Sequence, residues 1–128
     1  MATRSNINVK VGDIYHCVYC HWDGYPEHHG PILTAHYNSQ ELAEKLVSHG
    51  DISSLENSSE QPEGHSFSTP VKGYTVYYGR DRGESNTDFK KKNKPLTQEE
   101  YSYIWDGEKW LFLDCHKEEK QLKHAISL

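Results

Sequence analysis

Cysteine is scarce in this chain and odd in number, with three among 128 residues. An odd count excludes a complete disulfide framework and points to thiols kept reduced or metal-bound in a reducing compartment. Apolar residues are also few, at 34 %. No run approaches the ~20 apolar residues of a membrane-spanning helix. The N-terminal MATRSNINVKVGD has no apolar core of the kind a signal peptide carries. A soluble, cytoplasmic protein without a membrane partner is therefore expected. Positive charge is in deficit, 14 basic against 19 acidic residues for a formal charge of −5. That sign disfavours nonspecific nucleic-acid binding, and its size is too small to mimic nucleic acid. A glycine-rich phosphate loop and an H-E-x-x-H helix are both missing.

Aromatic residues are plentiful by contrast: nine Tyr, three Trp and three Phe. They bury much area per residue and allow a small core in a polar chain. DIYHCVYCHW, from Asp13 to Trp22, is β-branched and aromatic and predicts a strand. Its alternation places His16, Val18 and Cys20 on one face and Tyr15, Cys17 and Tyr19 on the other. Asp23-Gly24 predicts a turn. GPILTAHYNSQELAEKLVSHGD predicts helix, with Pro31 in a first turn, Asn38 as a second N-cap, and an apolar stripe at Leu42, Ala43, Leu46 and Val47. VKGYTVYYGR predicts another strand, and YSYIWDGEKWLFLD a hairpin about Asp106-Gly107. The tail predicts a short amphipathic helix through Leu122, Ala125 and Ile126. Residues 1–12 read as a flexible N-terminus and 84–96 as a mobile charged loop. The expected fold is one α+β domain over 1–128. It has a small, mostly antiparallel sheet of about four strands and one or two helices on one face.

CHWDGYPEHHG, from Cys20 to Gly30, is the densest chemical stretch. Cys17 and Cys20, with Cys115 and His116, could supply a zinc site by residue type. Positions i and i+3 of a strand point to opposite faces, however, so Cys17 and Cys20 should diverge. Cys20 and His21 face apart, which removes the simplest Cys–His dyad. His28-His29 beside Glu27 reads first as a solvated turn. In YGRDRGE, Arg80 and Arg82 share a face if the strand continues and could fork onto an anion. Pairing with Asp81 and Glu84 in a surface network is the competing reading. Nearby Trp22, Tyr25, Tyr77 and Tyr78 add stacking faces, a combination suited to nucleotides.

The strings YCHWDGYPEHHGPIL, HYNS, GDISSL, PVKGYTVYYGRDRGE and YSYIWDGEKW resemble a family of short, mostly uncharacterised proteins of bacteriophages and prophages. The likeness runs from about Asp13 to Trp110. It is sharpest in CHWDGYP and YGRDRGE. The resemblance implies an accessory protein acting against bacterial immunity in the host cytoplasm, by blocking a defence protein or trapping a nucleotide signal.

Together these readings place a binding surface at His21, Trp22, Asp23, Tyr25, Tyr78, Arg80 and Arg82, where the Asp23-Gly24-Tyr25 turn meets the arginine loop. No catalytic residue, metal or cofactor is assigned. The expected partner is a host defence protein or a nucleotide-like small molecule, with self-association left open. The alternatives are a small metal-dependent hydrolase or nuclease using His21, Asp23 or His28-His29, and a zinc-stabilised interaction module built on Cys17, Cys20, Cys115 and His116.

Overall fold

Two strands in continuous register open the chain. β1 (Ser5–Val11) and β2 (Ile14–Cys20) pair antiparallel from Ser5↔Cys20 to Val11↔Ile14. The computed structural model describes residues 2–116 and 122–128. After the hairpin come α1 (Pro26–His36), α2 (Gln40–Ser48), β3 (Ile52–Ser54), β4 (Val76–Tyr77), α3 (Tyr78–Arg82), β5 (Lys90–Lys92), β6 (Tyr101–Trp105) and β7 (Trp110–Asp114). A 3-10 turn (Leu122–His124) and β8 (Ile126–Ser127) end it. The strand order is β4-β3-β2-β1-β6-β7-β8, with β5 also pairing to β2.

The architecture is α+β, and among the described residues its sheet has eight strands and is mixed. β1 runs parallel to β6 and β2 parallel to β3, while the remaining pairs are antiparallel. The expectation of about four strands with one or two helices is thus too small: the described residues form eight strands and three helices, and two of the seven strand pairings are parallel. Its main error is at the N-terminus. Residues 5–11, read as flexible, form the strand that both β2 and β6 pair with. Asn6, Asn8 and Lys10 alternate with Ile7, Val9 and Val11 at strand period. Asparagine has low strand propensity, and that hid the pattern. The charged 84–96 stretch likewise contributes β5, whose Lys90 and Lys92 face Cys17 and Tyr15 across the ladder.

Each sheet face carries its own apolar cluster. Ile7, Val9, Val18, Cys20, Tyr103, Trp105 and Trp110 pack with Leu33 of α1 and Ala43, Leu46 and Val47 of α2. The second cluster joins Tyr15, Cys17, Ile104, Leu113 and Cys115, with Leu96 packed against it. α2 starts one residue later than expected: Ser39 is the N-cap and its side chain accepts from Leu42 N–H. Leu42 falls outside the buried stripe, at 42 % exposure. α1 starts at Pro26, so Pro31 lies inside the helix rather than in its first turn. The β6–β7 hairpin forms as expected, with Trp105 opposite Trp110 at 5.6 Å between ring centroids and Tyr103 opposite Phe112 at 6.5 Å. The tail helix is replaced at Ile126 by β8, which pairs with β7. The part of that expectation on 117–121 lies outside the described residues. Among the described residues no helix is long and apolar enough to cross a membrane.

Candidate functional site

The connection from α2 into β3 carries Asp51, and three segments are tied to it. Tyr19 N–H donates to Asp51 Oδ1 at 2.9 Å. Tyr78 N–H donates to the Asp51 carbonyl at 3.2 Å, and Asp51 N–H donates to the Thr87 carbonyl at 2.8 Å. The residue before it, Gly50, has φ +86°, and a Cβ there would collide with the Thr87 carbonyl. Glycine lets the 84–88 segment lie directly on the strand entry.

Two cavities share the wall made by Tyr19 and Asp51. The first, about 360 Å³, is lined further by Tyr78, Arg82, Glu84 and Thr87. The second, about 220 Å³, lies on the sheet face away from the helices and is lined further by Asn6, Cys17, Lys90, Lys92 and the carboxylate-bearing Glu99. Partial burial raises the Asp51 carboxyl above the ordinary carboxylate range, opposed by the Tyr19 N–H and by Lys90. Burial also raises the Tyr19 and Tyr78 hydroxyls. The arrangement offers aromatic faces, cations and hydrogen-bond acceptors in one place. Such a mixture, with Glu84 beside Arg82 and Glu99 beside the lysines, can hold a polar ligand bearing both hydrogen-bond donors and an anionic group.

Of the residues expected at the site, Tyr78 and Arg82 line the first cavity. His21 reaches it indirectly: its Nδ1 and the Tyr19 hydroxyl share a hydrogen bond of 2.6 Å. Trp22 stands edge-on to His21 at 4.7 Å between centroids and is 44 % exposed. Asp23 and Tyr25 are joined to each other by a 3.4 Å hydrogen bond and line neither cavity. The cavities thus take Tyr78 and Arg82 from the expected set but neither Asp23 nor Tyr25.

The arginine pair itself does not form. YGRDR is the helix α3, not a strand, and ends at Gly83 in the left-handed region at φ +77°. Residues two apart on a helix project about 200° from each other. Arg82 lies over the Phe67 ring at 4.6 Å. Arg80 turns inward instead. Its Nε donates to Asp81 Oδ1 at 2.9 Å, and its terminal nitrogens donate to the carbonyls of Ser59 (2.7 Å) and Thr75 (3.2 Å). The Arg–Asp pairing is real, but it is an internal brace rather than a surface network.

The dense CHWDGYPEHHG stretch divides at Pro26. Its first part ends β2 and turns, while Pro26 to Gly30 are the opening of α1. His29 is fully buried, with Nε2 3.3 Å from Ser5 Oγ and Nδ1 3.0 Å from His28 Nδ1. Burial, and then His28, lowers its pKa to about 3. His21, Asp23 and the His28-His29 pair engage separate partners, so the hydrolase reading finds no convergent triad among them.

The alternative zinc set is also dispersed. Cys17 and Cys115 share the outer cluster, while Cys20 lies in the helix-side cluster on the opposite sheet face. Burial pushes the Cys17 and Cys20 thiols up to about 11 and about 12. His116 is exposed and sits against Asp114 (2.8 Å) and Glu100 (3.5 Å). Among the described residues no group of three or more His, Cys, Asp or Glu is gathered as metal ligands.

Residue-by-residue reading overlooked Asn6, Tyr19, Asp51, Lys90 and Lys92. Asp51 stood in the quoted GDISSL string and Tyr19 in the quoted YCHWDGYP run. Asn6 and the lysines lay in segments read as mobile. No family model, no curated protein and no solved structure matches this chain.

Proposed function

We propose that this chain is a noncatalytic binding protein that sequesters a nucleotide-like ligand at the Tyr19–Asp51 wall. It thereby counters bacterial immunity in the cytoplasm of a phage-infected host. The observation that carries this reading is the convergence of Tyr78 and Arg82 on one cavity with Tyr19 and Asp51. Tyrosine supplies a face for a base, and a guanidinium supplies donors for a phosphate. Lys90 and Lys92 on the adjoining cavity extend the positive side of the groove. The phage resemblance of CHWDGYP and YGRDRGE supplies the biological setting.

A concave site of this chemistry favours small-ligand capture over docking on a defence protein. The test is mass spectrometry of what the purified protein retains from phage-infected cells. A retained nucleotide, released intact on denaturation, is the expected result. Retention of a host protein with no small molecule would replace this reading with the protein-blocking one. Turnover of the retained nucleotide would replace it with an enzyme.

A further inference from the structure

The first cavity has a rim closed by hydrogen bonds. Tyr78 N–H donates to the Asp51 carbonyl at 3.2 Å, Glu84 N–H to the Tyr78 carbonyl at 3.1 Å, and Asp51 N–H to the Thr87 carbonyl at 2.8 Å. The Thr87 hydroxyl completes the ring by donating to the Glu84 carbonyl at 3.2 Å. All four residues line the cavity. Two glycines let the 84–87 segment come down this tightly. A Cβ at Gly50 would collide with the Thr87 carbonyl, and one at Gly79 would stand 2.7 Å from Thr87 Oγ1. Gly79 lies in α3, where alanine is the better helix former. The close approach of Thr87 is what glycine permits there.

This rim holds two carboxylates, and a guanidinium lies beside them. Asp51 is half-buried and its Oδ1 accepts from Tyr19 N–H at 2.9 Å; its Oδ2 accepts no hydrogen bond among the described residues. The Glu84 carboxylate is exposed and accepts none among them either. Arg82 stands over Phe67 and lines the same cavity. Lys90 and Asp88 act on Asp51 from outside this cavity, with opposite signs. Two carboxylates against one guanidinium leave more capacity to accept hydrogen bonds than to neutralise anions. The cavity therefore suits hydroxyl donors and one anionic group. A carboxylate takes a hydroxyl in a charge-assisted bond, the way dinucleotide-binding proteins hold a ribose 2′-hydroxyl.

We propose that the first cavity holds the sugar of a ribonucleotide, with the Asp51 and Glu84 carboxylates accepting from its 2′- and 3′-hydroxyls and Arg82 donating to its phosphate. The inference rests on the nucleotide reading above and deepens it by naming the sugar. A 2′-deoxyribose has one hydroxyl fewer and leaves one carboxylate without a donor. The hydrogen-bonded rim keeps both carboxylates in place before the ligand arrives, so little ordering is left for binding to supply.

Calorimetric titration with the four ribonucleoside 5′-monophosphates and their 2′-deoxy counterparts tests it. At least one ribonucleotide should bind, roughly tenfold or more tightly than its deoxy form, the effect of one hydrogen bond to a charged acceptor. Asp51→Asn keeps an acceptor for Tyr19 N–H but removes the charge, and Glu84→Gln alters an exposed side chain. Each should narrow the preference for ribose. A preference that survives both changes overturns the placement of the sugar. Because the nucleotide comparison uses the unaltered chain, a variant that fails to fold leaves the test standing. Equal binding of ribo and deoxy forms overturns the sugar assignment and leaves the nucleotide reading intact. Binding of none overturns both.

Discussion

The guanidinium of Arg80 and the carboxylate of Asp81, neighbours in the chain, form an ion pair of 2.9 Å in which the Asp81 side chain is wholly buried. Asp81 Oδ2 also accepts from Tyr77 N–H at 2.7 Å, and Oδ1 from Gln61 Nε2 at 3.1 Å. His65 Nδ1 accepts from Val71 N–H at 2.9 Å, which puts its proton on Nε2, beside the Thr75 carbonyl. This network closes the long 55–75 connection onto β4 and α3. Removing one partner leaves a buried charge uncompensated. Arg80→Ala should lower unfolding free energy by about 3–5 kcal/mol, the range for breaking a buried pair. Chemical denaturation measures it, and a loss under about 1 kcal/mol would mean the brace is dispensable.

Arg82 should behave in the opposite way. Its guanidinium rests over Phe67 and lines the first cavity. Arg82→Ala should cost about 0.5–1 kcal/mol of stability, the range of an exposed cation–π contact. Under the nucleotide reading it should weaken binding roughly tenfold to a hundredfold. Paired melting and titration curves separate the two effects. Unchanged affinity for the retained ligand would remove Arg82 from the site.

Stability should fall as pH drops below neutrality. The His29 pKa is about 3 in the fold, against about 6.5 in an unfolded chain. A lowered histidine pKa means that the unfolded state takes up a proton which the folded state refuses. The contribution is full above about 6.5 and is lost as pH falls toward the folded value, at up to about 1.4 kcal/mol per pH unit. Burial lowers His16 and His49 as well, with the same sign. Urea midpoints at pH 7, 6 and 5 should decline in that order. A midpoint that stays level across the series would contradict a neutral, buried His29.

Cys17 and Cys20 should resist thiol reagents at pH 8. The thiolate is the reactive form, and burial pushes their pKa values up to about 11 and about 12. Titration with a chromogenic disulfide should count these two thiols only after denaturant is added. Rapid labelling of the native protein would show that the strand is open.

Deleting residues 2–11 should abolish cooperative folding. β1 carries Ile7 and Val9, both fully buried, and provides the pairing edge for β2 and β6. A deletion variant with an unaltered melting curve would return this segment to the status of a dispensable tail.

Some of this protein was legible in its residues alone. The Trp105–Trp110 hairpin followed from strong strand formers flanking Asp-Gly, because a short turn and cross-strand aromatics are local physics. The divergence of Cys17 and Cys20 followed from the period of a strand. The buried stripe of α2 was readable at Ala43, Leu46 and Val47, although Leu42 was not part of it. Tertiary structure decided the rest. β1 is a strand because β2 pairs with it in a local hairpin and the distant β6 covers its other edge, a long-range gain that outweighs the poor propensity of its asparagines. YGRDR could be strand or helix by local preference. The buried Asp81 carboxylate, accepting from Tyr77 N–H and Arg80, fixes it as helix and separates Arg80 from Arg82. The proposed site joins Tyr19 and Asp51 to Arg82 in one cavity and to Lys90 in the other, from four separate segments. No period or spacing along a chain encodes such a meeting, because it depends on which strand edges pair and on where Gly50 lets the Thr87 segment come down.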